Sequence, residues 1–166
     1  FSKRIFLSQQ CRSENLSNAK RILSSSPIKS EIKPFFKNIA SRIADSHLVI
    51  ARSGASTLAE LSVIGRPSIL IPYPHATDQH QEKNAFQFKS EGAAEIINQK
   101  DLQTEVITKK ITRLLENSQK LDHMAKKAKK FARPQAAHAL ADLAEMTIHD
   151  SHNKADKRIV KAREMQ

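Results

Sequence analysis

Ala51-Arg52-Ser53-Gly54-Ala55-Ser56-Thr57-Leu58-Ala59-Glu60, then Gly65-Arg66-Pro67-Ser68-Ile69-Leu70-Ile71-Pro72-Tyr73-Pro74-His75, then Asp78-Gln79-His80-Gln81-Glu82-Lys83-Asn84 decide the reading of this chain. Two short apolar runs, Leu48 to Ala51 and Ser68 to Ile71, each lead through small or turn-forming residues into a helix-period segment. That is a strand-loop-helix unit used twice in succession. In an open α/β sheet the loops leaving the carboxyl ends of parallel strands open on one edge, where ligands bind. Each loop here also opens a helix, whose free N–H groups and positive dipole end favour negatively charged or hydroxyl-rich ligands. A sugar nucleotide has both kinds of group.

Upstream of this segment, Arg4 to Ser8 reads as a strand. Ser13 begins a helix carrying Leu16, Ala19 and Leu23 that ends in the Ser24-Ser25-Ser26-Pro27 breaker. Ile28 to Ile32 is a weaker strand closed by Pro34, and Phe35 and Phe36 lie on a loop before a short helix with Ile39, Ala40 and Ile43. The helix after Leu48–Ala51 is expected from Ser56 to Ile64, with Gly65 as terminator. Pro72 and Pro74 keep the next loop extended up to Asp78, Gln79 to Ser90 is helical with Gly92 as the stop, and Ala93 to Ile97 is the last strand. Helices follow at Glu105 to Glu116, at Leu121 to Phe131, and from Pro134, in the first turn, to Ile148. Alternating strands and helices predict a Rossmann-like parallel sheet with flanking helices and right-handed crossovers.

The 166 residues suffice for one domain with a real core and are tight for two. The chain begins at Phe1, and we read it as a piece of a longer protein. Its formal net charge is +11 and its pI about 10.0, which suits an acidic partner such as an anionic membrane surface or nucleic acid. One Tyr and no Trp supply few of the stacking platforms of single-strand binders. Cys11 is the only cysteine, so an internal disulfide is excluded and a reducing compartment fits. No apolar run approaches the roughly 20 residues that span a bilayer. Basic residues Lys109, Lys110, Arg113, Lys126, Lys127, Lys129, Lys130 and Arg133 form either a solvated helix face or a surface for anionic headgroups.

Gly54 stands where strand turns into helix; with no Cβ it permits unusual backbone angles and lets a ligand approach, although an ordinary βα turn uses glycine too. Thr57-Leu58-Ala59-Glu60 fits a capping box. If the helix begins earlier, Glu60 instead points across the crevice, where a carboxylate accepts hydrogen bonds from both ribose hydroxyls. Asp78 and Gln81 pose the same choice. His80, Gln81 and Asn84 fall in the first turns of one helix, and the amides offer the donors and acceptors that sugar hydroxyls and an acetamido group need. His75 and His80 lack zinc-helix spacing and clustered partners, so no metal is expected, and no Ser or Cys nucleophile accompanies His80 as a base.

Ala44-Asp45, Leu48 to Glu60, Pro67 to Ala76 and Asp78 to Ala85 together resemble the carboxyl-terminal lobe of the MurG family, the undecaprenyl-pyrophosphoryl-muramoylpentapeptide N-acetylglucosaminyltransferases of bacterial peptidoglycan synthesis. The likeness continues through Leu114-Leu115 and Met124-Ala125 and returns at Arg133 to Ala137, covering most of Arg4 to Met146. Pro-Tyr-Pro-His followed by Asp-x-x-Gln-x-x-Asn makes the central segment specific; related sugar-nucleotide transferases share the Gly and the Glu without it.

The resemblance implies a two-lobed GT-B glycosyltransferase. Residues 1–149 would be its UDP-sugar-binding lobe without the first strand and phosphate loop; residues 150–166 are not a feature of that family and, being charged and nearly free of large apolar residues, read as a disordered tail or an extension that needs a partner. It implies metal-independent, cofactor-free, inverting transfer from UDP-N-acetylglucosamine to a lipid-linked muramoylpentapeptide. Phe36 would fall where uracil is read through the backbone; Gly54, Ala55, Ser56 and Thr57 at the nucleotide; Glu60 on the ribose; His80, Gln81 and Asn84 around the sugar. No catalytic base is expected in this chain, because the family supplies it from the amino-terminal lobe, so the fragment alone is expected to be inactive. Localisation would be peripheral on the cytoplasmic face of the bacterial inner membrane. Lys37-Asn38 departs from the acidic residues common there. Two alternatives stand beside this reading: another GT-B UDP-sugar enzyme, such as a glycolipid glycosyltransferase or UDP-N-acetylglucosamine 2-epimerase, and a non-catalytic basic binding module. Nucleic acid is not an expected partner, because the basic residues do not interleave with aromatics.

Overall fold

The computed structural model describes residues 5–147. Five strands alternate with helices: β1 (Phe6–Gln10), α1 (Ser13–Ser24), β2 (Lys29–Lys33), α2 (Ile39–Asp45), β3 (Val49–Ala51), α3 (Ala55–Ile64), β4 (Ser68–Leu70), α4 (His80–Ser90), β5 (Ala94–Ile96), α5 (Thr104–Leu115) and α6 (Ser118–Lys129). A seventh helix, α7, covers 136–147. Every strand pairing is parallel, as the βα alternation requires. The termini of the expected lobe, and the charged tail after Asp150, lie outside the described residues.

The strands form two sheets, β1–β2 and β3–β4–β5, with no ladder between β1 and β3. This split tells in the burial of β3. β4, flanked on both sides, is buried at all three positions, the state of a central parallel strand. β3 is as apolar in sequence, yet Ile50 is 42% exposed. Neither β1 nor β3 carries a charged residue, whereas β2 has Lys29, Glu31 and Lys33; natural sheets commonly charge their edges in this way.

Alternation along β4 sorts the core. Leu70 packs with Leu58 and Leu61 of α3, Ala85 and Phe88 of α4, and Ala128 of α6. Ile69 and Ile71 pack to the other side with Ile97, Leu114 of α5 and Met124 of α6. Phe131 stacks on Phe88 with ring centroids 4.3 Å apart. The sheet of β3, β4 and β5 is thus covered on both faces.

Gly65 ends α3 at φ 75°, and both its N–H and that of Arg66 donate to the Leu61 carbonyl, a left-handed C-terminal cap of the expected kind. Pro134 differs from expectation: it precedes α7, whose first bonds run from the Ala136 N–H to the Arg133 carbonyl and from the Ala139 N–H to the Gln135 carbonyl. The 3-10 turn Thr77–Gln79 before α4 is the local surprise, because Asp78 (φ 51°) and Gln79 (φ 54°) are consecutive left-handed residues without being glycine. Such backbone costs about 1–3 kcal/mol per residue and persists only where neighbours impose it.

Candidate functional site

The site sits where β3 and β4 end. α3 starts at Ala55 with Gly54 as its N-cap, and no side chain caps it. The capping-box reading of Thr57 and Glu60 is therefore corrected: Thr57 already lies in the first turn, and Glu60 falls in the second. Glu60 is exposed and makes no hydrogen bond or ion pair among the described residues.

Gly54 adopts φ −66°, ψ 150°, angles open to any residue, and a Cβ built there meets nothing within 4 Å. Backbone strain is thus not the reason for glycine, which leaves ligand approach or simple turn usage. The N–H groups of Ala55, Ser56 and Thr57 form the first turn of α3 and have no intrahelical acceptor.

The second capping box fails as well. Gln79, not Asp78, is the N-cap of α4, again without a side-chain bond. Gln81 turns to the preceding loop, where its Oε1 accepts from the Tyr73 N–H at 3.1 Å. Asn84 Nδ2 donates to the Ser53 carbonyl at 3.2 Å, and the Ser53 hydroxyl donates to the Gln81 carbonyl at 2.7 Å. Arg52 Nη1 donates to the carbonyls of Ile71 and Pro72, both at 3.1 Å, with its guanidinium 5.6 Å from the Tyr73 ring. Loops 52–54 and 71–79 are thereby laced into one rim.

The lacing brings Gly54, Ala55, Ser56 and Thr57 together with Gln81 and Asn84, and His80 opens α4 beside them as an exposed side chain. The amide nitrogen of Gln81 and the amide oxygen of Asn84 take no part in the bonds described. Phe36 stands apart in the loop after β2, 3% exposed, with its ring covered by Arg42. His75 packs edge-on against Tyr73. Among the described residues, no three His, Cys, Asp or Glu side chains converge as a metal site.

Nothing in the local sequence marks a role for Ser53, Arg52 or Arg42. Ser53 is fully buried and polar, a hallmark of a structural hydrogen bond, but only the fold reveals its partner. The basic helix face is also smaller than its composition implied. Lys110 Nζ lies 2.7 Å from Glu95 on β5, and Arg113 pairs with the same carboxylate. Burial pushes the Glu95 carboxyl up, but the Lys110 hydrogen bond and the charges of Lys110, Arg113 and Lys120 outweigh it and hold the group below its ordinary value.

A parallel α/β lobe with two helix-opening loops on one edge is an architecture that many nucleotide-binding domains share. Residues 2–140 match the glycosyltransferase family 28 C-terminal domain, and the chain belongs to that family. It is 39% identical over 145 residues to a protein of Brucella suis biovar 1 (strain 1330), the UDP-N-acetylglucosamine–N-acetylmuramyl-(pentapeptide) pyrophosphoryl-undecaprenol N-acetylglucosamine transferase, covering 87% of this chain and 38% of that protein. The Brucella canis counterpart is 40% identical over 142 residues, covering 86% and 38%. The crystal structure of Acinetobacter baumannii MurG superposes with TM-score 0.80 at 29% identity over 87% of this chain and 45% of that one. The glycosyltransferase VinC shares the fold, with TM-score 0.59 at 14% identity over 86% of this chain and 41% of its own. The chain therefore spans 38% of the length of these Brucella relatives. The resemblance drawn from the sequence is borne out.

Proposed function

We propose that this chain is the donor-binding lobe of an N-acetylglucosaminyltransferase that moves the sugar of UDP-N-acetylglucosamine onto the muramoyl 4-hydroxyl of undecaprenyl-pyrophosphoryl-muramoylpentapeptide. The observation that carries the reading is the rim built around Ser53, which sets the open first turn of α3 against Gln81 and Asn84 of α4. The relatives' names supply the substrates.

In this reading the uracil lies against the Phe36 main chain, and Glu60 accepts hydrogen bonds from the ribose hydroxyls. Gly54 admits the diphosphate to the N–H groups of Ala55, Ser56 and Thr57. His80, Gln81 and Asn84 surround the N-acetylglucosamine. The acceptor hydroxyl attacks the anomeric carbon as its bond to the phosphate oxygen breaks, which inverts the centre. The hydroxyl proton goes to a base outside this chain, and the electron pair leaves on UDP. Charge developing on the diphosphate meets the positive end of α3, a preoriented donor set of the kind that stabilises leaving groups without reorganisation.

No helix among the described residues is long and apolar enough to cross a membrane. We place the protein on the cytoplasmic face of the inner membrane, with the exposed Lys126 and Lys130 of the α6 region facing anionic headgroups.

Calorimetric titration of the chain with UDP-N-acetylglucosamine, UDP and UDP-glucose, with no metal added, tests the donor site. Binding that prefers the N-acetyl sugar is the expected result. Equal affinity for UDP-glucose would transfer the chain to another UDP-sugar enzyme. Absence of binding by a folded chain would remove a self-sufficient donor site.

A further inference from the structure

We propose that Arg42 is a positioning residue for base selection, holding the 34–38 loop in register through the ring of Phe36. The inference rests on the sugar-nucleotide reading above.

Ser8 and Glu31 are register partners across the β1–β2 pair, so their side chains share one face of that sheet. Arg42 reaches down from α2 onto both. Its Nη1 donates to Ser8 Oγ at 2.8 Å and lies 2.7 Å from Glu31 Oε2, while its Nε donates to Asn38 Oδ1 at 3.1 Å. The guanidinium carbon lies 3.9 Å from the centroid of the Phe36 ring. Lys33 completes the cluster, 2.6 Å from Glu31 Oε1 and 5.9 Å from the same ring.

A guanidinium can donate from its edge and stack with its face at once; an ammonium cannot. Arg42 uses both, so the strands, the N-cap of α2 and the loop ring are held by a single group. The ring of Phe36 is almost wholly buried, whereas that of Phe35 is 69% exposed. Pinning one ring fixes where the loop backbone stands. Among the described residues, no hydrogen bond engages the Phe36 main-chain N–H, and in the sugar-nucleotide reading that donor serves the base.

A base read by main-chain groups is selected by the order of its donors and acceptors. The pairing edge of uracil presents acceptor, donor, acceptor, and that of adenine presents donor then acceptor. Discrimination then depends on backbone register, and a loop released by loss of Arg42 forfeits it. The diphosphate, bound at α3, does not depend on that register.

The test uses the 166-residue chain, labelled with nitrogen-15, as wild type, Arg42→Ala and Arg42→Lys. UDP, ADP and inorganic pyrophosphate are titrated by calorimetry while the Phe36 amide resonance is followed. Wild type is expected to prefer UDP over ADP, with UDP and not pyrophosphate moving the Phe36 amide. Arg42→Ala should bind UDP about tenfold more weakly, lose a like factor of preference over ADP, and bind pyrophosphate as before. Arg42→Lys keeps a charge beside Glu31 but lacks the flat stack and should lose the preference too. A wild-type preference retained in either folded variant overturns the proposal. So does equal loss of UDP and pyrophosphate affinity, the mark of general loosening. Failure of the unsubstituted chain to bind UDP overturns the sugar-nucleotide reading itself, and the inference with it.

Discussion

The buried hydroxyl of Ser53 donates to the main-chain carbonyl of Gln81 across 2.7 Å, joining the loop after β3 to the first turn of α4. These two residues are remote in sequence, and their bond places the start of α3 against the start of α4. Ser53→Ala should cost about 1 kcal/mol, the net worth of a typical buried hydrogen bond, measured by urea denaturation. With the rim loosened, the ratio of affinities for UDP-N-acetylglucosamine and UDP-glucose should fall as well. An unchanged ratio in a destabilised variant would confine Ser53 to folding.

Glu60→Gln should leave stability within about 0.5 kcal/mol of wild type, because the carboxylate caps nothing and pairs with nothing described. Affinity for UDP-sugars should fall about 10- to 100-fold, the range for hydrogen bonds to a charged group. Thermal melts and donor titrations on the same samples separate the two effects.

Gly65→Ala should destabilise by about 1–2 kcal/mol, since the position requires a left-handed backbone. The new Cβ would also lie 2.5 Å from Lys129 side-chain atoms. That side chain is flexible, so the double variant Gly65→Ala, Lys129→Ala should recover the crowding and not the backbone strain. Full recovery in urea melts would contradict the conformational argument.

Acid should weaken the fold through Glu95 and Glu31. Both folded carboxyls lie below their ordinary value of 4.5, Glu95 for the reasons given above and Glu31 through hydrogen bonds from Lys33 and Arg42. A depressed folded pKa contributes stability that is present above the unfolded value and lost as pH falls through the folded one. Urea midpoints should therefore drop below about pH 4.5, and Glu95→Gln should flatten that limb.

Lys126→Ala with Lys130→Ala should weaken binding to phosphatidylglycerol vesicles about 30-fold at low salt and leave donor affinity unchanged. Cosedimentation measures it, and vesicle binding equal to wild type would exclude this face.

The strand-loop-helix units, the Gly65 cap and the parallel architecture were legible in the sequence because each rests on local signals: apolar runs of strand length, turn residues, helical periodicity. The motif around Gly54 and Asp78 identified the family for the same reason, being contiguous. At both helices the sequence left the capping box open beside a second reading, and the structure forms neither box. Thr57-x-x-Glu60 and Asp78-x-x-Gln81 satisfy the local rule, but α3 begins two residues before Thr57, and Gln81 is drawn to the Tyr73 N–H.

Sequence alone determined which segments become strands and helices, where α3 must stop, and to which family the chain belongs, since these depend on residues that are neighbours along the chain. Tertiary structure decided what those residues do to one another. It separated the strands into two sheets, left Ile50 at an edge, gathered Ser8, Glu31 and Phe36 onto Arg42, and tied Ser53 to Gln81 and Asn84. Parallel strands are joined by long crossovers, so residues that meet at their ends are far apart in sequence, and no local pattern carries the identity of a distant hydrogen-bond partner.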